Sequence, residues 1–76
     1  MQSFLVIDTE ELHVKVKVTN SQIKLLTPII KKVNKDLKDY KESEGYSLFL
    51  EIINSISINE SINEDEILSI NIVYHN

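Results

Sequence analysis

Residues 12–19, "LHVKVKVT", alternate in hydropathy. Leu12, Val14, Val16 and Val18 point one way, and His13, Lys15, Lys17 and Thr19 the other. A period of two with β-branched residues predicts a half-buried strand. An apolar run, Ser3 to Asp8, precedes it across the polar stretch "DTEE". Two such runs predict a hairpin, although the connection lacks the Asn-Gly or Asp-Gly pair of a tight turn; one longer, bent strand is the alternative.

The period then changes. Apolar residues fall at Ile23, Leu26, Ile30, Val33, Leu37 and Tyr40, alternating three and four apart, as on one stripe of a helix. Two starts compete for this helix. Thr19 with Gln22 fits a capping box. Thr27-Pro28 offers a second cap followed by proline at the first helical position. An interior proline costs about 3 kcal/mol. The expectation is therefore a short first turn from Ser21, a break, and a main helix from Pro28 to about Ser43. Gly45, the chain's one glycine, stands where a left-handed C-cap is wanted.

Residues 46–58, "YSLFLEIINSISI", fit both periods. As a strand, Tyr46, Leu48, Leu50, Ile52, Ile56 and Ile58 share a face. As a helix, Ser47, Glu51, Asn54 and Ser55 form a polar side. Periodicity alone does not arbitrate; entry from a glycine favours the strand. "NESINEDE" reads as a polar turn. "EILSINIVYH" closes the chain as a strand with Leu68, Ile70, Ile72 and Tyr74 on one face. The expected fold is a single compact α+β domain over residues 1–76. An antiparallel sheet packs on one main helix in the order ββαββ, with ββααβ as the alternative.

The segment "TNSQIKLLTPIIKKV", Thr19 to Val33, resembles a segment of small, uncharacterised phage and prophage proteins. In these a capped turn, a leucine pair and a Pro-Ile step open a helix after a strand. The resemblance covers under a quarter of the chain and implies an origin in a mobile element. It carries no functional residue across.

Composition narrows the chemistry. At 76 residues a lone core is marginal, and small domains often add a disulfide, a metal or a second subunit. Cysteine is absent, and the two histidines, His13 and His75, are far apart in sequence, so neither a disulfide nor a metal site is expected. A homo-oligomer is the staple that remains. Arginine, alanine and tryptophan are absent while isoleucine, asparagine and lysine abound, the usage of an AT-rich genome. No stretch reads as a signal peptide or reaches the roughly 20 apolar residues of a membrane span, which predicts a cytoplasmic protein.

Charge is segregated along the chain. Residues 20–41 carry six lysines against Asp36 and Asp39, giving +4; residues 42–76 carry seven acids and no lysine, giving −7. On a helix, Lys31, Lys35 and Lys38 fall together, either as a solvated face or as a contact for an acidic partner. Nucleic acid is not the expected partner, because arginine is absent and no tyrosine interleaves with these lysines. The acidic cluster Glu60, Glu64, Asp65 and Glu66 reads either as a solubilising turn or as a patch that competes for a basic surface. A calcium loop is disfavoured, since no glycine supplies the sharp turn.

Catalytic signals are thin. There is no cysteine nucleophile and no glycine-rich phosphate loop. His13 and Glu11, two residues apart on a strand, are the one acid–base pair in view. His75, beside the C-terminus, is expected to be mobile. Tyr40, Tyr46 and Tyr74 read as core-edge residues with wet hydroxyls. The expected function is non-enzymatic and cofactor-free: a phage or mobile-element accessory protein that binds and inhibits a host protein, one that acts on nucleic acid or in defence. A self-assembling subunit is the alternative, and a nucleic-acid module using the lysine helix comes last.

Overall fold

The computed structural model describes residues 2–35, 38–56 and 62–75, with the side chains of Lys38 and Ile56 outside the description. The fold is α+β, a three-stranded antiparallel sheet with two helices. Strand β1 (Gln2–Asp8) and β2 (His13–Val18) are followed by helix α1 (Asn20–Asn34), a 3-10 turn (Lys38–Glu42), helix α2 (Tyr46–Ile56), a second 3-10 turn (Glu64–Glu66) and β3 (Ser69–His75). The order is ββααβ, so the expected ββαββ is corrected and its alternative stands.

β1 lies in the middle of the sheet, in the spatial order β2-β1-β3. Its register sets Leu5 between Val16 and Ile72, and Ile7 between Val14 and Ile70. These residues line one face. Leu5, Ile7 and Ile70 have 0% exposure there. The hairpin expected between the first two runs is present. Thr9 closes it in place of a glycine turn: its hydroxyl accepts from the amides of Leu12 at 3.0 Å and Glu11 at 3.3 Å. The Thr9 amide donates to Leu12 O at 2.9 Å. A short hydroxyl side chain can bond main-chain amides two or three residues ahead, and here that replaces positive-φ chemistry.

The helix expected to begin at Pro28 begins at Thr19 and runs through the proline. The capping box is complete, with the Gln22 amide donating to Thr19 Oγ1 at 3.3 Å and the Thr19 amide to Gln22 Oε1 at 2.9 Å. Proline removes the helical bond to the carbonyl of Lys24. Lys24 and Pro28 are both exposed, so water can reach that carbonyl and the loss is small. The buried side of α1 is Leu26 with Ile29, while Ile23, Ile30 and Val33 pack partly buried around them. The apolar stripe thus centres on Ile29, a residue the three-four spacing skipped. Leu37 lies outside the described residues.

α1 stops at Asn34, short of the expected Ser43, and Asn34 reaches the sheet with its side chain. Its side-chain amide donates to Ile70 O at 2.8 Å and accepts from Ile70 N at 3.1 Å. One side chain stands where a fourth strand would pair with β3. β3 has no charged residue or proline to blunt its edge, the usual defences against edge-to-edge pairing, and Asn34 supplies another.

Residues 46–56 form a helix where a strand was favoured. β1 has both neighbours already, so a further strand could join only at an edge. As a helix, the segment gathers Phe49, Ile52 and Ile53 on the buried side and exposes Ser47, Glu51, Asn54 and Ser55. Residues 57 and 58 of the ambiguous stretch lie outside the described residues. Gly45 is not the C-cap of α1; it stands at the start of α2, its carbonyl accepting from the Phe49 amide at 3.0 Å. It lets the chain pass against α1: a Cβ there would stand 2.0 Å from the carbonyl oxygen of Leu25. The last strand is as expected, except that Leu68, 61% exposed, and Tyr74, 57% exposed, leave the core to Ile70 and Ile72.

Replacing Asn34 with alanine is expected to cost about 1–3 kcal/mol, since Ile70 loses both main-chain partners, and to open the β3 edge. Urea unfolding measures the first effect. Sedimentation velocity measures the second, as a concentration-dependent dimer or larger species absent from the parent chain.

Candidate functional site

Both helices lie on one face of the sheet, and that side carries the lysines of α1 as well as most of the acids. On the helical side the acidic residues gather at the turn Glu64–Glu66. Asn63 initiates it in extended conformation, its side-chain oxygen accepting from the Asp65 amide at 3.0 Å. The Glu66 amide donates to Asn63 O at 2.9 Å. Glu64 turns inward, accepting from the Tyr46 hydroxyl at 3.0 and 3.3 Å, with Lys41 Nζ 3.5 Å away. Beneath it Tyr40 packs against Tyr46 (centroids 6.0 Å) and edge-on against Phe49 (6.1 Å).

The four acids singled out in the sequence therefore separate. Glu64 is structural, tying the turn to α2 and to the 3-10 turn before it. Asp65 and Glu66 are exposed and point their charge at solvent. Glu60 lies outside the described residues.

The same turn explains two tyrosines. Burial, then the charges of Glu64 and Asp65, push the Tyr40 hydroxyl up to about 12. Tyr46 is also raised, first by desolvation and then by the hydrogen bond it donates to Glu64. Tyr46 is a core-edge residue as expected, its hydroxyl meeting the Glu64 carboxylate, whereas Tyr40, 4% exposed, belongs to the core itself.

Of the lysine face, Lys31 is exposed on the last turn of α1 and Lys35 at its C-cap, where a cation complements the helix dipole. The Lys38 side chain, the third of the expected trio, lies outside the described residues. Lys32, which sequence reasoning left aside, lies 3.7 Å from Asp39.

The other face of the sheet carries no helix. It presents Phe4, Val6 and Asp8 from β1, His13, Lys15 and Lys17 from β2, and Ser69, Asn71, Val73 and His75 from β3, in register. His13 pairs with Asp8, not with Glu11. The hairpin register sets residues 8 and 13 opposite each other and leaves Glu11 in the turn. Ser69 Oγ donates to the second Asp8 oxygen at 3.4 Å. His75 is not adrift: it pairs across from Gln2, its ring meets Phe4 edge-on at 5.4 Å, and Lys15 Nζ donates to its Nε2 at 2.7 Å. The same ammonium lies 4.8 Å from the centre of the Phe4 ring. Sequence reasoning missed this Phe4–Lys15–His75 group. Ser3 to Asp8 read only as an apolar run, and only the pairing of β1 with β3 brings residue 75 near residue 4.

Among the described residues no group of three or more His, Asp or Glu side chains is placed to hold a metal, and no helix is long and apolar enough to cross a membrane. No family model, curated protein or solved structure matches the chain.

Tyrosinate absorbance followed against pH is expected to show Tyr40 ionising near pH 12. The folded state holds this phenol neutral above the ordinary value of 10.0. Its contribution to stability is complete below pH 10 and is lost as pH rises from about 10 to about 12, a change on the order of 2–3 kcal/mol. Glu64→Gln should bring the Tyr40 transition down toward 10 without reaching it, because burial remains the larger cause.

Proposed function

We propose that the chain is a small, non-enzymatic protein-binding module that meets its partner through Asp65 and Glu66. The observation that carries this reading is the construction of the acidic turn. Asn63 caps it, Glu64 anchors it to Tyr46 and Lys41, and the two remaining carboxylates are left exposed on a fixed platform. A pre-ordered contact gives up little conformational freedom on binding. Its charge, within an overall net charge of −4, speeds encounter with a basic surface.

The partner class that fits is a host protein with a basic surface, one that acts on nucleic acid or in defence, which the module would occlude. A phage or mobile-element origin accords with the AT-rich usage and the Thr19–Val33 resemblance, and a cytoplasmic setting with both. The rival reading, a self-assembling subunit, has less to work with. The stripe of α1 faces the core, and Asn34 occupies part of the one uncharged sheet edge.

The test compares capture of a host protein from lysate by the tagged chain and by its Asp65→Lys, Glu66→Lys double variant. Glu64 is left intact because it anchors the turn. A loss of roughly tenfold or more is expected at moderate salt, with thermal unfolding unchanged because both side chains are exposed. Equal capture by the two chains would remove the acidic turn from the interface.

A further inference from the structure

We infer that the helix-free face of the sheet binds a short segment of single-stranded nucleic acid, with a base on Phe4 and phosphates on Lys15 and Lys17. The inference is independent of the acidic turn, which lies on the helical side.

The first support is the chemistry of the face. Phe4, half-buried, stands on the central strand with its ring met edge-on by His75 and approached by the Lys15 ammonium. Lys17 lies directly across from Phe4, and Lys15 directly across from Val6. An aromatic platform with flexible cations beside it is what sequence-tolerant single-strand binding requires: a base stacks on the ring while ammonium groups follow the backbone. The Lys15 side chain can leave the ring for a phosphate without disturbing the sheet, since it is exposed. Asn71, exposed on β3 beside Val6, adds a donor and an acceptor for a base edge.

The second support is the sign of the charge. Asp8 is the face's one carboxylate among the described residues. It lies at the far end of β1 from Phe4 and is engaged by His13 and Ser69. Asp65 and Glu66 are on the other side of the molecule. The sheet face thus presents Lys15 and Lys17 with no free carboxylate beside them, and can accept an anionic strand even though the chain as a whole is acidic.

Charge and size together argue against a second copy of this chain on the face. In a face-to-face dimer of this chain, Lys15 and Lys17 would meet no free carboxylate on the opposing sheet. At strand spacing, three strands of about seven residues make a face of roughly 14 by 20 Å, about 300 Å², against about 800 Å² per partner in a stable protein interface. A strand of about four nucleotides, the lower end of known single-strand sites, needs no more.

The test is fluorescence anisotropy of labelled oligothymidine and oligouridine of about 12 nucleotides, titrated with the full chain at about 20 mM and about 200 mM salt. Saturable binding at the lower salt is expected. It should weaken about 25-fold at the higher, as two phosphate contacts on a single strand require. Phe4→Leu, which keeps an apolar residue in the strand, should weaken binding about tenfold or more through lost stacking. Lys15→Glu with Lys17→Glu should abolish it. Circular dichroism and thermal unfolding of each variant verify the fold. No binding of either oligonucleotide at the lower salt overturns the inference, as does binding that survives both sets of substitutions. A dimer that dissociates with the lysine reversals, in a chain that binds no oligonucleotide, would assign the face to a second copy and also overturn it.

Discussion

Everything in this fold depends on β1 having a partner on both sides. β2 reaches it through the hairpin closed by Thr9, and β3 returns from the far end of the chain. With both edges of β1 taken, its inward side chains Leu5 and Ile7 can be covered only from above, and α1 and α2 do that through Leu26, Ile29, Phe49, Ile52 and Ile53. A chain this short has too few apolar residues to cover a sheet on two sides. One face is packed and the other is left to solvent. A two-layer structure with an open sheet face follows from the size and the pairing together.

That division sets where charge can go. The acids of the C-terminal half reach the helical side because Glu64 is drawn to Tyr46 over the aromatic contacts of Tyr40, Tyr46 and Phe49. The outward residues of β2, by contrast, are the lysines and His13. The two charge blocks of the sequence meet on the helical side, where Lys32 lies by Asp39 and Lys41 by Glu64, while Lys15 and Lys17 stand apart on the sheet face. The two proposed contacts, an acidic turn for a basic protein surface and a sheet face for a nucleic-acid strand, lie on opposite sides. They also suit one kind of assembly, a protein that works on nucleic acid together with its substrate.

Local chemistry was legible and non-local pairing was not. The alternation of Leu12 to Thr19 located β2, and Thr19 with Gln22 marked the start of α1. Pro28 misled because its cost was assessed without knowing that the bond it removes faces water. Residues 46–56 misled because their two periods were equal in sequence; as a helix they bury Phe49, Ile52 and Ile53 in the one core. Asn34 gave no signal at all. It reads as an ordinary polar helix residue, and its hold on Ile70, 36 positions away, exists only once β3 is in place. At the candidate sites, the exposure of Asp65 and Glu66 fitted a simple reading of an acidic turn. The inward role of Glu64 did not, since Tyr46 was the residue whose fold assignment was open. His75 needed the β1–β3 register before it could be placed beside Phe4.

Amide hydrogen exchange, resolved residue by residue, tests the central role of β1 most directly. In a strand paired on both sides every amide is bonded, whereas in an edge strand only alternate amides are. Phe4, Leu5, Val6 and Ile7 should therefore all exchange slowly and without alternation. β2 and β3 should alternate between slow and fast, with Ile70 held slow on the outer edge by Asn34. An alternating pattern in β1 would make it an edge strand, and the one-sided core, the open face and both surfaces derived from it would have to be abandoned.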